Sequence, residues 1–405
     1  MLTLYNSLGK KTEVFEPVNK KVVTIFTCGP SVYQRSHIGN FRTFLFEDVL
    51  QRYLEYSGYT VTRGLNITDI EDKALAEAQK EKRGVSEITR RNIRHFLGEM
   101  KLLRMRIPDY MPMASENVDI MAEIIGKLIK KGIAYEYWGN IYCDPLMIRG
   151  FGRLFGLDLS SWPKKKRRFH LDTYPGIQWN RGDFILWHGF REGDAVWWET
   201  TFGKGRPAWN IQDPAMVSRH IKETLSVYCG GIDNLYRHHD YSLAILEAVR
   251  PYPMARFWLH CRHLFINGRK MSKSKGNIHY TETLSGKGYS PEEIRFFLIY
   301  GHYRERLNYS DRKMQLTALK LRKAREIIGK IRRKAGGVRA EPGILSMRLE
   351  EIFRRHMDDD LQVRAGFDAL HQELACLDTG CLTKEESAGT IAALKKIDSV
   401  LQIFF

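Results

Sequence analysis

Two stretches of this 405-residue chain carry side chains suited to holding phosphate. The first is Thr27-Cys-Gly-Pro-Ser-Val-Tyr-Gln-Arg-Ser-His-Ile-Gly-Asn-Phe-Arg-Thr43. His37 and Asn40 can donate hydrogen bonds to phosphate oxygens, and Gly39 lets a ligand approach the main chain. The second, Gly268-Arg-Lys-Met-Ser-Lys-Ser-Lys-Gly-Asn277, alternates lysines 270, 273 and 275 with small residues in a predicted loop. Ammonium groups on long stems suit a pyrophosphate that gains charge as it leaves. Together the two stretches point to chemistry on a nucleoside triphosphate.

The elements around them must bring these groups together. Val22-Val-Thr-Ile-Phe26 is a β-branched run that reads as a buried strand. From Phe44 to Leu54 apolar residues recur at helical spacing. A strand therefore turns into a helix, with His37, Gly39 and Asn40 at the helix N-terminus, where backbone N–H groups and the helix dipole favour an anion. Tyr59–Leu65 returns as a second strand, completing a β-α-β unit whose ligand site lies at the carboxyl ends of the strands. Asn66-Ile-Thr-Asp69 follows there, which directs Thr68 and Asp69 to the pocket. The chain has no Gly-x-Gly-x-x-Gly fingerprint, which argues against a dinucleotide dehydrogenase.

The pairing of His37-Ile-Gly-Asn40 with Lys270-Met-Ser-Lys-Ser274 resembles the signature pair of class I aminoacyl-tRNA synthetases. Further stretches narrow the resemblance to cysteinyl-tRNA synthetases: Cys28-Gly-Pro-Ser-Val-Tyr33, Asn66-Ile-Thr-Asp-Ile-Glu-Asp-Lys73, Gly203-Lys-Gly-Arg-Pro-Ala-Trp209, Gly230-Gly-Ile-Asp233 and His238-His239. They stand in family order and cover residues 1 to about 370. The resemblance implies an α/β fold: a class I nucleotide-binding (Rossmann-like) parallel sheet, split by an inserted connecting domain and followed by a helical C-terminal bundle. It implies an enzyme that joins ATP and an amino acid into an aminoacyl-adenylate, releases pyrophosphate, and transfers the aminoacyl group to tRNA. In that scheme His37, Asn40, Lys270 and Lys273 handle the phosphates. Gly39, Gly231, Asp233, Ser272 and Ser274 hold ATP, with Mg²⁺. Gly29, Ser31, Thr68, Trp209 and Asp213 shape the amino-acid pocket.

The family selects cysteine with zinc held by two cysteines, a histidine and a glutamate. Cys28 and His238 match two of these positions. The family's Trp-His-Ile-Glu-Cys stands here as Trp209-Asn-Ile-Gln-Asp213, and its His-His-Glu-Asn-Glu as His238-His-Asp-Tyr-Ser242. Cys28, Asp213 and His238 can still hold Zn²⁺, since carboxylates bind it. Alternatively, Cys28 is a buried thiol and Asp213 pairs with His238 or an arginine. The small pocket would then suit an amine or a hydroxyl. Transfer to a small amine acceptor and a non-catalytic tRNA-binding paralog are the other functions these residues leave open.

Net charge is +17, which suits a polyanionic partner. Eleven Lys/Arg and one acid, Glu326, lie between Arg312 and Arg339, and Lys164–Arg168 forms a second basic cluster. From Met314 to Ile331 the residues Met314, Ala318, Leu321, Ala324, Ile328 and Ile331 share one helical face, with cations on the other. This basic helix is the expected contact for a tRNA acceptor end. Six cysteines without CxxC spacing read as free thiols. No run of 18 apolar residues and no signal peptide occurs, so a cytoplasmic protein is expected, free of membrane and a monomer or weak dimer. The expected divisions are 1–106 and 201–255 for the two halves of the nucleotide-binding domain, 107–200 for the insertion, 256–310 for the lysine-loop segment and 311–405 for the helical bundle. Strands at Phe184–Trp187 and Val196–Glu199 are read as the point where the second half resumes. The chain is expected to stop short of a separate anticodon-binding module.

Overall fold

The computed structural model describes residues 1–160, 162–165, 182–271 and 276–405. An N-terminal hairpin, β1 (Thr3–Asn6) and β2 (Lys11–Val14), leads into β3 (Val22–Thr27), α1 (Ile38–Tyr56) and β4 (Thr60–Leu65). Two helices follow, α2 (Asp72–Glu81) and α3 (Val85–Leu102), parted where Lys82 turns left-handed at φ 53°. Helix α4 (Val118–Lys130) precedes five strands: β5 (Ala134–Tyr137), β6 (Asn140–Cys143), β7 (Phe184–Gly189), β8 (Trp198–Thr200) and β9 (Gly203–Pro207). Then come α5 (Trp209–His220), β10 (Leu225–Gly231), α6 (Tyr241–Val249) and β11 (Ala255–Cys261).

Strands β11, β10, β3 and β4 form one parallel sheet in that spatial order. Sequence order reverses between β3 and β10, so their crossovers leave in opposite directions and open a crevice at the carboxyl ends. The five strands β5-β6-β7-β9-β8 form a separate antiparallel sheet. This corrects the reading of Phe184–Trp187 and Val196–Glu199 as a resumption of the parallel sheet. Short β-rich runs signal a strand but not its partner. The sheet also runs to Pro207, beyond the expected boundary at 200.

After β11, the chain makes β12 (Leu264–Ile266), β13 (Arg269–Lys270), α7 (Thr281–Gly286), α8 (Pro291–Ile299) and β14 (Leu307–Tyr309). Ser290 caps α8, Pro291 stands at its first position and Glu293 closes a capping box. The bundle is α9 (Asp311–Ala335), α10 (Ile344–Met357), α11 (Val363–Ala375) and α12 (Lys384–Leu401). All six residues expected on the inner face of α9 are buried.

Helix α1 sits between these parts. Thirteen of its 19 residues are buried, including Arg42, Glu47, Asp48 and Gln51, so it is a central helix with few solvent-facing positions. Asp48 accepts from Arg295 Nη2 of α8 at 2.6 Å, from Arg52 Nε at 2.9 Å and from the Arg106 backbone at 2.7 Å. Burial alone would raise its carboxyl, but Arg295 and then Arg52 outweigh that and hold it below the ordinary range. Arg295 also donates to Leu401 O and Leu103 O, so one guanidinium ties α1, α3, α8 and α12 together.

Removing one partner of such a fully buried pair leaves the other uncompensated. Asp48→Ala should therefore cost about 3–5 kcal/mol in chemical denaturation, and a paired Asp48→Leu/Arg295→Met variant clearly less. A single-variant loss below about 1 kcal/mol would mean that the pair does not join the bundle to α1.

Candidate active site

The crevice between β3 and β10 holds a cavity of about 330 Å³. Its lining includes Cys28, Gly29, Ser31, His37, Gly39, Asn40, Thr68, Trp209, Gly231, Asp233 and Lys270, so most of the expected site residues converge on one space. Asp69 does not join them. Its carboxylate accepts from the Ser115 backbone and hydroxyl and fixes the segment before α4. Ser272, Lys273 and Ser274 lie outside the described residues.

The turn after β3 is held tightly. Cys28 N donates to Cys229 O at 3.0 Å, and Gly29 N to Asn66 Oδ1 at 2.7 Å. A Cβ at residue 29 would stand 1.8 Å from Asn66 O, so only glycine lets the two loops touch.

His37 is the N-cap of α1. Its Nδ1 accepts from Gly39 N at 3.1 Å and Asn40 N at 3.3 Å, while Asn40 Oδ1 accepts from His37 N at 3.0 Å. The expectation that these two N–H groups stand free for phosphate is corrected: the histidine occupies them. The cap also sets the tautomer, because an accepting Nδ1 leaves the proton on Nε2. Burial lowers the ring's pKa to about 4, so at neutral pH it is an uncharged donor.

The described residues on either side of the lysine segment meet the same helix end. Lys270 lies exposed on β13, and Met271 lines the cavity. A Cβ at Gly39 would meet the Met271 methyl at 2.3 Å. On the far side of residues 272–275, His279 O accepts from Ile38 N at 3.0 Å. Both flanks of the segment thus rest on the first turn of α1.

Opposite, Gly231 ends β10 and Asp233 follows in a short 3₁₀ turn, with His263 Nδ1 3.9 Å from Asp233 Oδ1. Beneath them lies a buried cluster. One donor atom from each of Cys28, Asp213, His238 and His239 lies within 4.8 Å of the others. Asp213 does not line the cavity as expected but sits behind Cys28. It accepts from Asn66 Nδ2 at 2.8 Å and from the Tyr228 hydroxyl. His238 Nε2 approaches Asp213 Oδ2 to 2.9 Å, yet neither ring nitrogen of His238 makes a hydrogen bond of proper geometry among the described residues. The His238 ring stacks on Trp209, centroids 3.7 Å apart. Burial, with Asp213 beside it, pushes the Cys28 thiol up, and Asn234 Nδ2 lies 3.3 Å from its sulfur. His239 joins the cluster together with His238, and both stand on a π-helical turn over Leu235–Asp240. Asn66 stood in a quoted motif, but nothing in its spacing reveals that it bridges Gly29 and Asp213.

The sequence family described as the tRNA synthetases class I (C) catalytic domain matches residues 14–319. A cysteine–tRNA ligase of Chlamydia pneumoniae is 36% identical over 413 residues, covering 99% of this chain and 86% of that protein. One from Brachyspira hyodysenteriae is 37% identical over 311 residues, 76% of this chain and 65% of its own. Among solved structures, the methionyl-tRNA synthetase of Mycobacterium tuberculosis with methionyl-adenylate superposes with a TM-score of 0.66 at 14% identity, over 95% of this chain and 90% of that one. The Agrobacterium radiobacter LeuRS of a ternary complex with tRNA and LeuAMS gives 0.66 at 12% identity, over 96% and 85%. At these identities the two structures speak for the fold.

The capped His37 yields separable outcomes. His37→Ala loses both cap and donor: about 1 kcal/mol of stability, and about 10²-fold in the rate of any phosphoryl chemistry at the cavity. His37→Asn keeps a capping side chain and should lose the rate with little stability. The folded ring titrates at about 4, below its ordinary 6.5, so its contribution to stability is complete above 6.5 and lost as pH falls towards 4. Activity should show no His37 limb between about pH 5 and about pH 8. A loss on raising pH through about 6.5 that His37→Asn abolishes would mean that the ring acts as a cation.

Proposed function

We propose, for a chain that belongs to the cysteinyl-tRNA synthetase family of class I, that it activates cysteine with ATP and passes the cysteinyl group to the 3′ end of a tRNA. Family and relatives make it an ATP-dependent aminoacyl-tRNA ligase. The finer assignment rests on one observation above all: the helix end with His37 and Asn40, the Gly231–Asp233 turn and the Cys28 floor line one cavity.

In the first step a carboxylate oxygen of the amino acid attacks the α-phosphorus of ATP. A new O–P bond forms, the bond to the bridging oxygen breaks, and pyrophosphate leaves. The protein needs no nucleophile of its own. It aligns the reactants and balances developing charge. The Nε2–H of His37 and the Asn40 side chain donate to phosphate oxygens. Lys270 and Lys273 balance the pyrophosphate, and Mg²⁺ bound with ATP would share that charge. Asp233 accepts from ribose hydroxyls, and Gly231 lets the nucleoside close on β10. Gly29, Ser31, Thr68 and Trp209 bound the amino acid. Gly39, Ser272 and Ser274 complete the ATP site.

Cys28, Asp213 and His238 fit a divalent metal: thiol, carboxylate and imidazole are buried together, and the imidazole nitrogens lack hydrogen-bond partners among the described residues. Zinc held there supplies affinity for a soft thiolate, which separates cysteine from serine.

The basic helix supports the tRNA assignment with a smaller surface than its composition suggests. Arg322 and Arg325 face Glu293 and Glu292, and Lys320 pairs with Asp368. Arg312, Lys313, Lys323, Arg332 and Arg333 are the exposed cations available to phosphates. No helix among the described residues is long and apolar enough to cross a membrane. The cytoplasm, which supplies tRNA and ATP, is the proposed place of work.

Cysteine should support ATP–pyrophosphate exchange and charging of tRNA, and Lys273→Ala should abolish exchange while leaving tRNA affinity intact. No exchange with any standard amino acid, with tRNA present, would overturn the proposal. Lys323→Glu with Arg332→Glu should flatten the log–log salt dependence of tRNA binding by about 1.5–2. An unchanged slope would remove α9 from the interface.

A further inference from the structure

We propose that this chain holds its zinc with the set Cys28, Asp213, His238 and His239, in which His239 does the work of a ligand that the family pattern draws from elsewhere. The inference rests on the reading of the cavity floor as a cysteine-binding centre. Two positions of the family's set have changed in this chain. Asp213 stands for a cysteine, and Ser242 for a glutamate. A serine hydroxyl is a poor replacement for an anionic ligand. The structure offers another donor beside it.

His239 is fully buried, and its Nε2 has no hydrogen-bond partner among the described residues. That nitrogen faces the cluster: a Cβ at Gly230 would stand 2.9 Å from His239 Nε2 and 3.2 Å from Cys28 Cβ. A buried ring nitrogen without a partner is unfavourable, and a metal ion removes that cost.

The other side of the ring is built as a metal-bound imidazole requires. His239 Nδ1 lies 2.8 Å from His260 Nε2, and His260 Nδ1 lies 2.8 Å from Ser7 Oγ. Donation in one direction, from His239 to His260 and from His260 to Ser7, satisfies each contact and leaves a bare lone pair on His239 Nε2. Such partners fix the tautomer and orientation of a ligating histidine. Asp213 is prepared in the same way, with Asn66 and Tyr228 each taking one lone pair and leaving others for the ion.

The charges also balance. One thiolate, one carboxylate and two neutral imidazoles around Zn²⁺ make a neutral centre in a buried site. Two thiolates, an imidazole and a carboxylate would carry one net negative charge. The neutral set leaves the ion the stronger Lewis acid towards an incoming thiol.

X-ray absorption at the zinc edge of the purified full chain tests the set directly. The expected result is one sulfur at about 2.3 Å and three nitrogen or oxygen ligands at about 2.0–2.2 Å, with the outer-shell scattering of two imidazoles. One imidazole, or protein lacking stoichiometric zinc, overturns the inference. Metal-free protein that still exchanges pyrophosphate with cysteine would sink the ligand set and leave the activation reading standing. Stoichiometric zinc on this set without cysteine-dependent exchange would do the reverse. In chelator competition His260→Gln, a change behind the ligand, should weaken zinc roughly 10–100-fold, and His239→Ala more. Parental affinity in a folded His239→Ala variant also overturns it.

Discussion

The site depends on where α1 stands, and α1 is positioned by two charged side chains that never reach water. Arg42 is 2% exposed and is met mainly by backbone carbonyls, with the Cys261 thiol beside it. It donates to Arg262 O at 3.0 Å, His302 O at 2.9 Å and Glu305 O at 2.6 Å. Burial lowers the affinity of this guanidinium for its proton, yet an arginine remains charged, so the carbonyl cage must stay intact. Arg262 directly follows β11 and precedes the hairpin that carries Lys270. The cage therefore locks the capped end of α1 and the base of the lysine segment into one frame. Asp48, one and a half turns further along, does the same for α8 and the bundle through Arg295.

Such a frame explains why the reactive groups need so little support of their own. His37 is oriented by the backbone of the helix it caps. Met271 and His279 touch that same turn from either side of the lysine loop. Gly231 and Asp233 extend β10, which pairs directly with β3. Each group belongs to a different element, and the parallel sheet sets the spacing among them. Removing an anchor far from the cavity would alter the site by moving whole elements.

Much of this was legible in the sequence, and the exceptions share a cause. A β-branched strand, a helix-spaced apolar run and a glycine between them locate His37 at a helix end. The inner face of α9 follows from six residues at helical spacing. What periodicity cannot give is partnership. It could not say that β7 and β8 both pair with β9 in an antiparallel sheet, that Asp69 turns away to Ser115, or that His37 uses up the N–H groups it adjoins. Nor could it place His239, since consecutive residues of an ordinary helix diverge by about 100°. The π-helical turn on which both stand leaves no periodic trace. The charge of α9 is a further case: composition counts cations, while only the structure reveals which already face Glu293, Glu292 and Asp368.

The floor of the cavity shows how a buried carboxylate is accommodated. A carboxylate with no exposure is costly unless donors surround it. At Asp213 these are Asn66 and Tyr228, and both have other duties. Asn66 also receives the Gly29 N–H and so holds the turn behind Cys28. Tyr228 packs on Phe26 of the adjacent strand. The carboxylate is thus bonded to β10 and to the segment that follows β4, and its oxygens are fixed before any ligand arrives. A site prepared in this way has its reorganisation cost met during folding. The position of the carboxylate, and that of the cavity above it, is then left to the sheet.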